Sequence, residues 1–114
     1  EKYGENLTEM LKRCRKAKIE PVFCTLPPID ETAYFERHER ERYDEAGGLE
    51  KVVASYRAVM LQVAKKKKVP VVDLNQLLVN TPEWQHRDGV HPSPKGNEII
   101  AKLVAEVVGE LIEE

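Results

Sequence analysis

A short turn near the end of the chain carries an acid and a base three residues apart. The turn is Asp88-Gly89-Val90-His91, and Pro92 follows it. Gly89 can adopt the positive φ that bends such a loop, so the carboxylate can face the ring. A carboxylate bonded to one imidazole nitrogen fixes the tautomer, and the other nitrogen can then take a proton from a nucleophile. We therefore predict that Asp88 and His91 are the acid and base of a hydrolase.

The segment after this turn has the signals of a helix start. Ser93 fits the N-cap, and Pro94 fits the first helical position, where its missing N–H is not needed. From Pro94 toward Glu113 the apolar residues recur at helical spacing. They are Ile100, Leu103, Val104, Val107, Val108 and Leu111. We expect an amphipathic helix of roughly 30 Å that anchors the turn.

The elements upstream alternate between helix and strand. Apolar spacing predicts a helix over residues 6–18 and a strand over 22–26. A second long helix is predicted from 49 to about 67, a strand over 69–74, and one helical turn over 75–79. Strands separated by a helix imply a right-handed crossover and a parallel sheet. The sequence therefore predicts the α/β class.

Two segments together resemble a known family. Asp88-x-x-His91 before a last amphipathic helix resembles the final block of the SGNH (GDSL-type) hydrolases, and Pro21–Pro28 resembles their strand and Pro-rich loop. The resemblance extends from about Glu5 onward. It implies a flavodoxin-like three-layer α/β/α parallel sheet and a Ser-His-Asp triad that cleaves carboxylic esters. It also implies that no cofactor is required.

The rest of that family's site has no counterpart in this sequence. The family's nucleophile is a serine in a Gly-Asp-Ser motif, and a Gly and an Asn from two later blocks complete its oxyanion hole. Ser55 lies inside a predicted helix and Ser93 caps one, so neither fits a nucleophile elbow. The chain also starts with Glu1 rather than Met. We expect residues 1–114 to be a single partial domain, the C-terminal part of a larger hydrolase whose serine lies outside this chain.

The predicted sheet is too small for the apolar helix surface beside it. A two-stranded sheet is marginal in water, and parallel sheets normally bury both faces. We expect an N-terminal segment of the same protein, or another copy of the chain, to complete the sheet. The chain alone is expected to be inactive.

Three residues are candidate substrate contacts, namely Pro27, Pro28 and Trp84. The segment Thr25–Asp30 follows a predicted parallel strand, and α/β sheets bind ligands at the carboxyl ends of their strands. It could equally be a plain strand-to-helix connection. The ring of Trp84 could line a pocket or cover the core. The sequence leaves both pairs of alternatives open.

Residues 29–48 form an unusually long connection. Charged and aromatic residues mix from Tyr34 to Tyr43, which could form a short helix over the substrate entrance. We favour a solvated helix with i,i+4 ion pairs. Asp73, near the end of the second predicted strand, competes with Asp88 as the partner of His91, although we expect it to fix the loop.

Composition argues against several classes of partner. Charged residues make up 33% of the chain and the net charge is −2, so nothing favours nucleic acid or an anionic membrane. No apolar run approaches the roughly 20 residues of a membrane span. Cys14 and Cys24 lie at apolar positions, where we expect buried free thiols. A small-molecule ester is the partner that the resemblance implies.

Two other functions remain open. His86, Asp88 and His91 could together hold zinc or iron, although their spacing matches no common metal-site template. In the other alternative, the chain is an inactive α/β interaction module in which the turn only braces the helix start. We favour the acid–base pair, with no metal.

Overall fold

The computed structural model describes residues 2–113, in which helices alternate with two short strands. This order confirms the predicted α/β class. The elements are α1 (Lys2–Lys16), β1 (Phe23–Cys24), α2 (Glu31–Tyr34), α3 (Glu41–Glu45), α4 (Leu49–Lys67), β2 (Val71–Val72), α5 (Leu74–Leu78) and α6 (Pro94–Glu113).

The two strands pair in parallel, as predicted. Phe23 lies opposite Val71 and Cys24 opposite Val72. Each strand is only two residues long, shorter than the sequence predicts, because within residues 2–113 each pairs along one edge alone. The long helix α4 forms the crossover between them and keeps its predicted bounds, Leu49–Lys67.

Side chains on the two faces of the sheet form separate clusters, which gives three layers. On one face Leu11 of α1 and Ala64 of α4 pack with Val69, against Phe23 and Val71. The other face is covered by α6. Its cluster contains Val72, Leu74, Leu78 and Trp84, with Ile99, Ile100, Leu103, Val104 and Val107 of α6 packed against them.

The first helix begins earlier than predicted because its first turn packs on α4. The ring of Tyr3 meets that of Tyr56 edge to face, with the centroids 5.0 Å apart. The hydroxyl of Thr8 also donates to the carbonyl of Gly4, which lies in the same early part of the helix. In the part of the chain that the structure describes, no helix is long and apolar enough to cross a bilayer.

Residues 29–48 form two short helices around an aromatic cluster. Most of the segment is exposed to solvent, as expected, but the expectation of one helix with i,i+4 ion pairs is wrong. Tyr34 stacks on His38 with centroids 4.2 Å apart, and its hydroxyl lies 2.7 Å from that of Tyr43. The guanidinium of Arg40 lies 4.2 Å from the ring centre of Phe35. Aromatic and cation–π contacts hold this segment, and none of the ion pairs seen in residues 2–113 lies inside it.

The two cysteines are free, but they are not both buried. Cys14 is half-buried and Cys24 is exposed. The expectation of a buried thiol at residue 24 is therefore wrong. The side chain of Cys24 lines an open groove beside β1.

Candidate active site

The turn that carries the acid and the base closes on itself through one carboxylate. Oδ2 of Asp88 lies 2.6 Å from Nδ1 of His91. Oδ1 of the same carboxylate accepts the backbone N–H groups of Val90 and His91, each at 2.9 Å. Gly89 has a φ of 80°, the positive value that the sequence predicts. The structure thus brings Asp88 and His91 together, and the carboxylate also fixes the backbone that joins them.

Hydrogen bonds keep this carboxylate ionised. The N–H of Val90 contributes most, followed by the side chain and then the N–H of His91, and together they hold the pKa of Asp88 far below its usual range. An ionised carboxylate can only accept, so Nδ1 of His91 must carry the proton. Nε2 is then the basic nitrogen. The side chain of His91 is 76% exposed, so nothing in the described chain encloses the ring.

The turn is the tip of a narrow hairpin that ends at the start of α6. The N–H of His86 donates to the carbonyl of His91, and the N–H of Ser93 donates to the carbonyl of Trp84, both at 2.7 Å. The hydroxyl of Ser93 accepts the N–H of Gly96 at 3.0 Å. This is the predicted N-cap, and it joins the hairpin to the helix.

The tip of the hairpin is also bonded to the loop after β1. The carbonyl of Gly89 accepts the N–H of Asp30 at 2.9 Å and the side-chain amide of Gln85 at 2.6 Å. The same amide nitrogen donates to the carbonyl of Pro28 at 2.8 Å. No local sequence pattern marks Gln85 as part of this site. Its partner Pro28 lies 57 residues away, so no local spacing marks the contact.

The three candidate substrate contacts occupy different places. Pro27 lines an open groove beside β1. The carbonyl of Pro28 is bonded to Gln85 instead. The ring of Trp84 is 5% exposed and packs with Val72 in the core. Core packing accounts for the tryptophan, and its contact with substrate stays a prediction.

The groove that Pro27 lines has a volume of about 670 Å³ and mostly apolar walls. Tyr34 and Tyr43 contribute part of one wall, so the aromatic cluster of residues 29–48 borders the groove. Other walls come from the end of β1 and from α4. They include Thr25, Leu26, Ile29, Val52, Val53, Tyr56 and Met60.

Asp73 occupies the position expected of a carboxylate that fixes a loop. Its Oδ1 accepts the hydroxyl of Thr25 at 2.8 Å and the N–H of Gln76 at 3.2 Å. It therefore caps α5. The ring of His91 is bonded to Asp88, so Asp73 is not its acidic partner in this structure.

The three residues of the alternative metal site do not converge on one point. Nδ1 of His86 lies 3.8 Å from Oδ1 of Asp88 and accepts the N–H of that aspartate at 3.3 Å. Both carboxylate oxygens already accept hydrogen bonds from the turn. Among residues 2–113, no group of three His, Cys, Asp or Glu side chains is arranged to hold a metal ion.

Solved structures share this architecture. A lipase/acylhydrolase from Enterococcus faecalis superposes with a TM-score of 0.69 and 23% identity, over 91% of this chain and 48% of that one. The esterase domain of the ORF1 protein from the zebrafish ZfL2-1 retrotransposon gives a TM-score of 0.65 and 18% identity, over 93% and 55%. These likenesses show an α/β fold of the lipase/acylhydrolase type, of which this chain covers about half.

Sequence comparisons identify the same family. The chain is 30% identical to a GDSL esterase/lipase of Arabidopsis thaliana, over 95% of this chain and 47% of that protein. It is 31% identical to the human isoamyl acetate-hydrolyzing esterase 1 homolog, over 88% and 42%. An uncharacterized lipoprotein of Bacillus subtilis, YqeF, is 26% identical over 88% and 49%. The chain thus spans about half the length of these relatives. Residues 1–104 match the family described as GDSL-like lipase/acylhydrolase, and the chain belongs to that family of esterases and acyl hydrolases.

Proposed function

We propose that this chain supplies the acid–base pair of a serine ester hydrolase whose nucleophile lies outside it. The observation that carries the proposal is the 2.6 Å contact between Asp88 and Nδ1 of a largely exposed His91. Nε2 of that ring is the basic nitrogen, and a hydroxyl from another segment can reach it. Family membership supports the same assignment.

The proposed reaction is acyl transfer to water. Nε2 of His91 takes the proton from the serine hydroxyl as its oxygen attacks the ester carbonyl carbon. The imidazolium then returns this proton to the oxygen of the leaving alcohol, and the bond between the carbonyl carbon and this oxygen breaks. Water then loses a proton to Nε2 and attacks the acyl carbon, and the imidazolium returns this proton to the serine oxygen as the carboxylic acid leaves. Asp88 orients the ring and stabilises the imidazolium, and the pair together contribute several orders of magnitude in rate.

The substrates we propose are carboxylic esters with short acyl groups or acetylated sugars. One relative is described as an isoamyl acetate-hydrolyzing esterase homolog, which supports a short-chain ester. Among the three predicted substrate contacts, Pro27 lines the apolar groove, so we assign this residue to the surface that binds the substrate. The carbonyl of Pro28 is bonded to Gln85 and Trp84 packs in the core, so contact of these two residues with substrate stays a prediction.

We further propose that an N-terminal segment of the same protein completes the sheet and brings the serine. The two strands present have one neighbour each in the described residues, so one edge of each is left for another strand. Apolar side chains outside the groove, such as Ile19 at 57% exposure, remain in contact with water. Burying such surface is the main favourable contribution to association. Another copy of the chain is the alternative occupant.

The test uses the full-length protein that carries this chain and measures hydrolysis of p-nitrophenyl acetate. We expect His91→Ala to abolish turnover, because Nε2 of this ring is the proposed acceptor of the serine's proton. Lys102→Ala, at an exposed position on α6, is the control and should leave turnover near that of the unmodified protein. Turnover that survives in His91→Ala would falsify the assignment.

An inactive interaction module is the second candidate, since this chain holds no serine on a nucleophile elbow. A serine-reactive fluorophosphonate probe separates the two functions. Labelling of the full-length protein, lost in His91→Ala, supports the hydrolase. A folded full-length protein that does not react with the probe supports the interaction module.

A further inference from the structure

We propose that Gln85 is a positioning residue for the Asp88–His91 pair. This inference rests on the proposed function and adds a residue to the machinery described above. Gln85 does not touch the imidazole or the carboxylate. Its amide joins the tip of the hairpin to the loop after β1, and through that tip it holds the pair in place.

The chemistry of the two contacts leaves one orientation for the amide. Both partners, the carbonyls of Pro28 and Gly89, can only accept hydrogen bonds. The NH₂ group must therefore face both of them, and it lies 2.8 Å and 2.6 Å away. The side chain of Gln85 is half-buried between the loop and the hairpin. No residue without two donors on one nitrogen reproduces this bridge at the same length.

The bridged peptide lies between the acid and the base. Gly89 directly follows Asp88 and precedes His91 by two residues, so its carbonyl belongs to the backbone that joins the two residues. The N–H of Asp30 holds this carbonyl as well, at 2.9 Å. Gln85 supplies the second donor, and with it both lone pairs of the oxygen are used.

The exposure of the ring makes this bridge important. Because the side chain of His91 is 76% exposed, packing in this chain does not hold it. Its position depends on the backbone of the turn and on the bond to Asp88. Catalytic groups must stay within roughly 0.5 Å of their productive geometry, and a displacement of about 1 Å can lower a rate by roughly 100-fold.

The first test replaces Gln85 with methionine, which has a similar length but no donor. We expect Gln85→Met to lower kcat for p-nitrophenyl acetate roughly 10-fold in the full-length protein, with KM nearly unchanged. Gln85→Leu removes the same donors and must show the same fall. Gln62→Met, at an exposed position on α4, is the matched control and should leave both constants unchanged.

A double-mutant cycle distinguishes positioning from general stability. Asp88→Asn removes the carboxylate on which the bridge acts. If Gln85 acts through Asp88, adding Gln85→Met to Asp88→Asn lowers kcat much less than the roughly 10-fold expected in the native background. If Gln85 only stabilises the fold, the two losses multiply and the proposal is wrong.

The outcomes separate this inference from the proposed function. An active His91→Ala variant rejects the hydrolase itself. Loss of activity in His91→Ala together with native kcat in both Gln85 variants rejects only the positioning role. Thermal unfolding of every variant is measured in parallel. A fall in kcat at a temperature where the variant is fully folded supports the positioning role of Gln85.

Discussion

The hydroxyl of Thr25 donates a hydrogen bond of 2.8 Å to Oδ1 of Asp73, and it accepts the N–H of Asn75 at 3.0 Å. Thr25 is 2% exposed and follows β1 directly, whereas Asp73 follows β2. One buried hydroxyl therefore ties together the carboxyl ends of the two strands. The loop that leaves β1 at this point continues to Pro28 and Asp30, which contact the hairpin.

Thr25→Val should destabilise the protein by roughly 1–3 kcal/mol. Valine keeps the shape of threonine, but it removes one of the two donors to Oδ1 of Asp73 and leaves the N–H of Asn75 without its acceptor. Urea unfolding of the full-length protein measures the free energy of unfolding. Thr32→Val, at an exposed position in α2, should change this energy by less than about 0.5 kcal/mol. Equal effects of the two substitutions would contradict the role of the buried bridge.

Asp73 and Asp88 should respond differently to the same substitution. Asp88→Asn should lower kcat by roughly 10³–10⁴-fold, because an amide can present its NH₂ group to the imidazole and favour the wrong tautomer. Asp73→Asn should keep kcat within about 3-fold, since an amide oxygen still accepts from Thr25 and from the N–H of Gln76. Ester hydrolysis by the two variants checks this. A loss in Asp73→Asn as large as that in Asp88→Asn would make Asp73 the acidic partner.

Two glycines of α6 should respond to alanine with opposite signs. A Cβ on Gly96 would lie 1.8 Å from the carbonyl oxygen of Trp84, which also accepts the N–H of Ser93. Gly96→Ala must push the hairpin away from the helix, at roughly 1–3 kcal/mol. A Cβ on Gly109 meets nothing within 4 Å, so Gly109→Ala should stabilise the helix by about 0.5–1 kcal/mol.

Thermal unfolding of the two alanine variants provides the measurement, and ester hydrolysis provides a second readout. Gly96→Ala should also lose activity, because the hairpin it displaces carries both Asp88 and His91. Gly109→Ala should retain the activity of the unmodified protein. Stabilisation by both substitutions would show that the hairpin does not rest on the start of α6.

Sequence patterns predicted the parts of the fold that depend on neighbouring residues. The cap at Ser93, the positive φ at Gly89 and the bounds of α4 all follow from local spacing or local sterics. The approach of Asp88 to His91 is local too, since only three residues separate them. These features needed no knowledge of the rest of the chain.

Contacts between distant segments were not predictable in the same way. Gln85 and Pro28 are 57 residues apart, and Thr25 and Asp73 are 48 apart, so no periodic pattern relates them. The packing of Tyr34 against Tyr43 depends on how α2 and α3 lie relative to each other, which composition does not encode. Where the alignment of two segments decides a contact, a single sequence leaves it open.

The ionisation of Asp88 should survive removal of its histidine. The N–H of Val90 lowers the pKa of this carboxyl more than the ring of His91 does, and the N–H of His91 adds to the effect. A substitution of His91 by alanine removes the ring and leaves both backbone donors. The pKa of Asp88 in His91→Ala should therefore rise, yet remain below the value of about 3.9 found for an unperturbed aspartate.

The sign of the pH dependence follows from this depressed pKa. An aspartate whose pKa is lower in the folded than in the unfolded state contributes stability above its unfolded value, and the contribution is lost as the pH falls through the folded value. The hydrogen bonds of the turn should thus persist below about pH 3.9. Titration of the ¹³C carboxyl signal of Asp88 in the native protein and in His91→Ala measures both values. A return to the ordinary pKa in His91→Ala would mean that the imidazole, rather than the N–H groups of the turn, holds the charge.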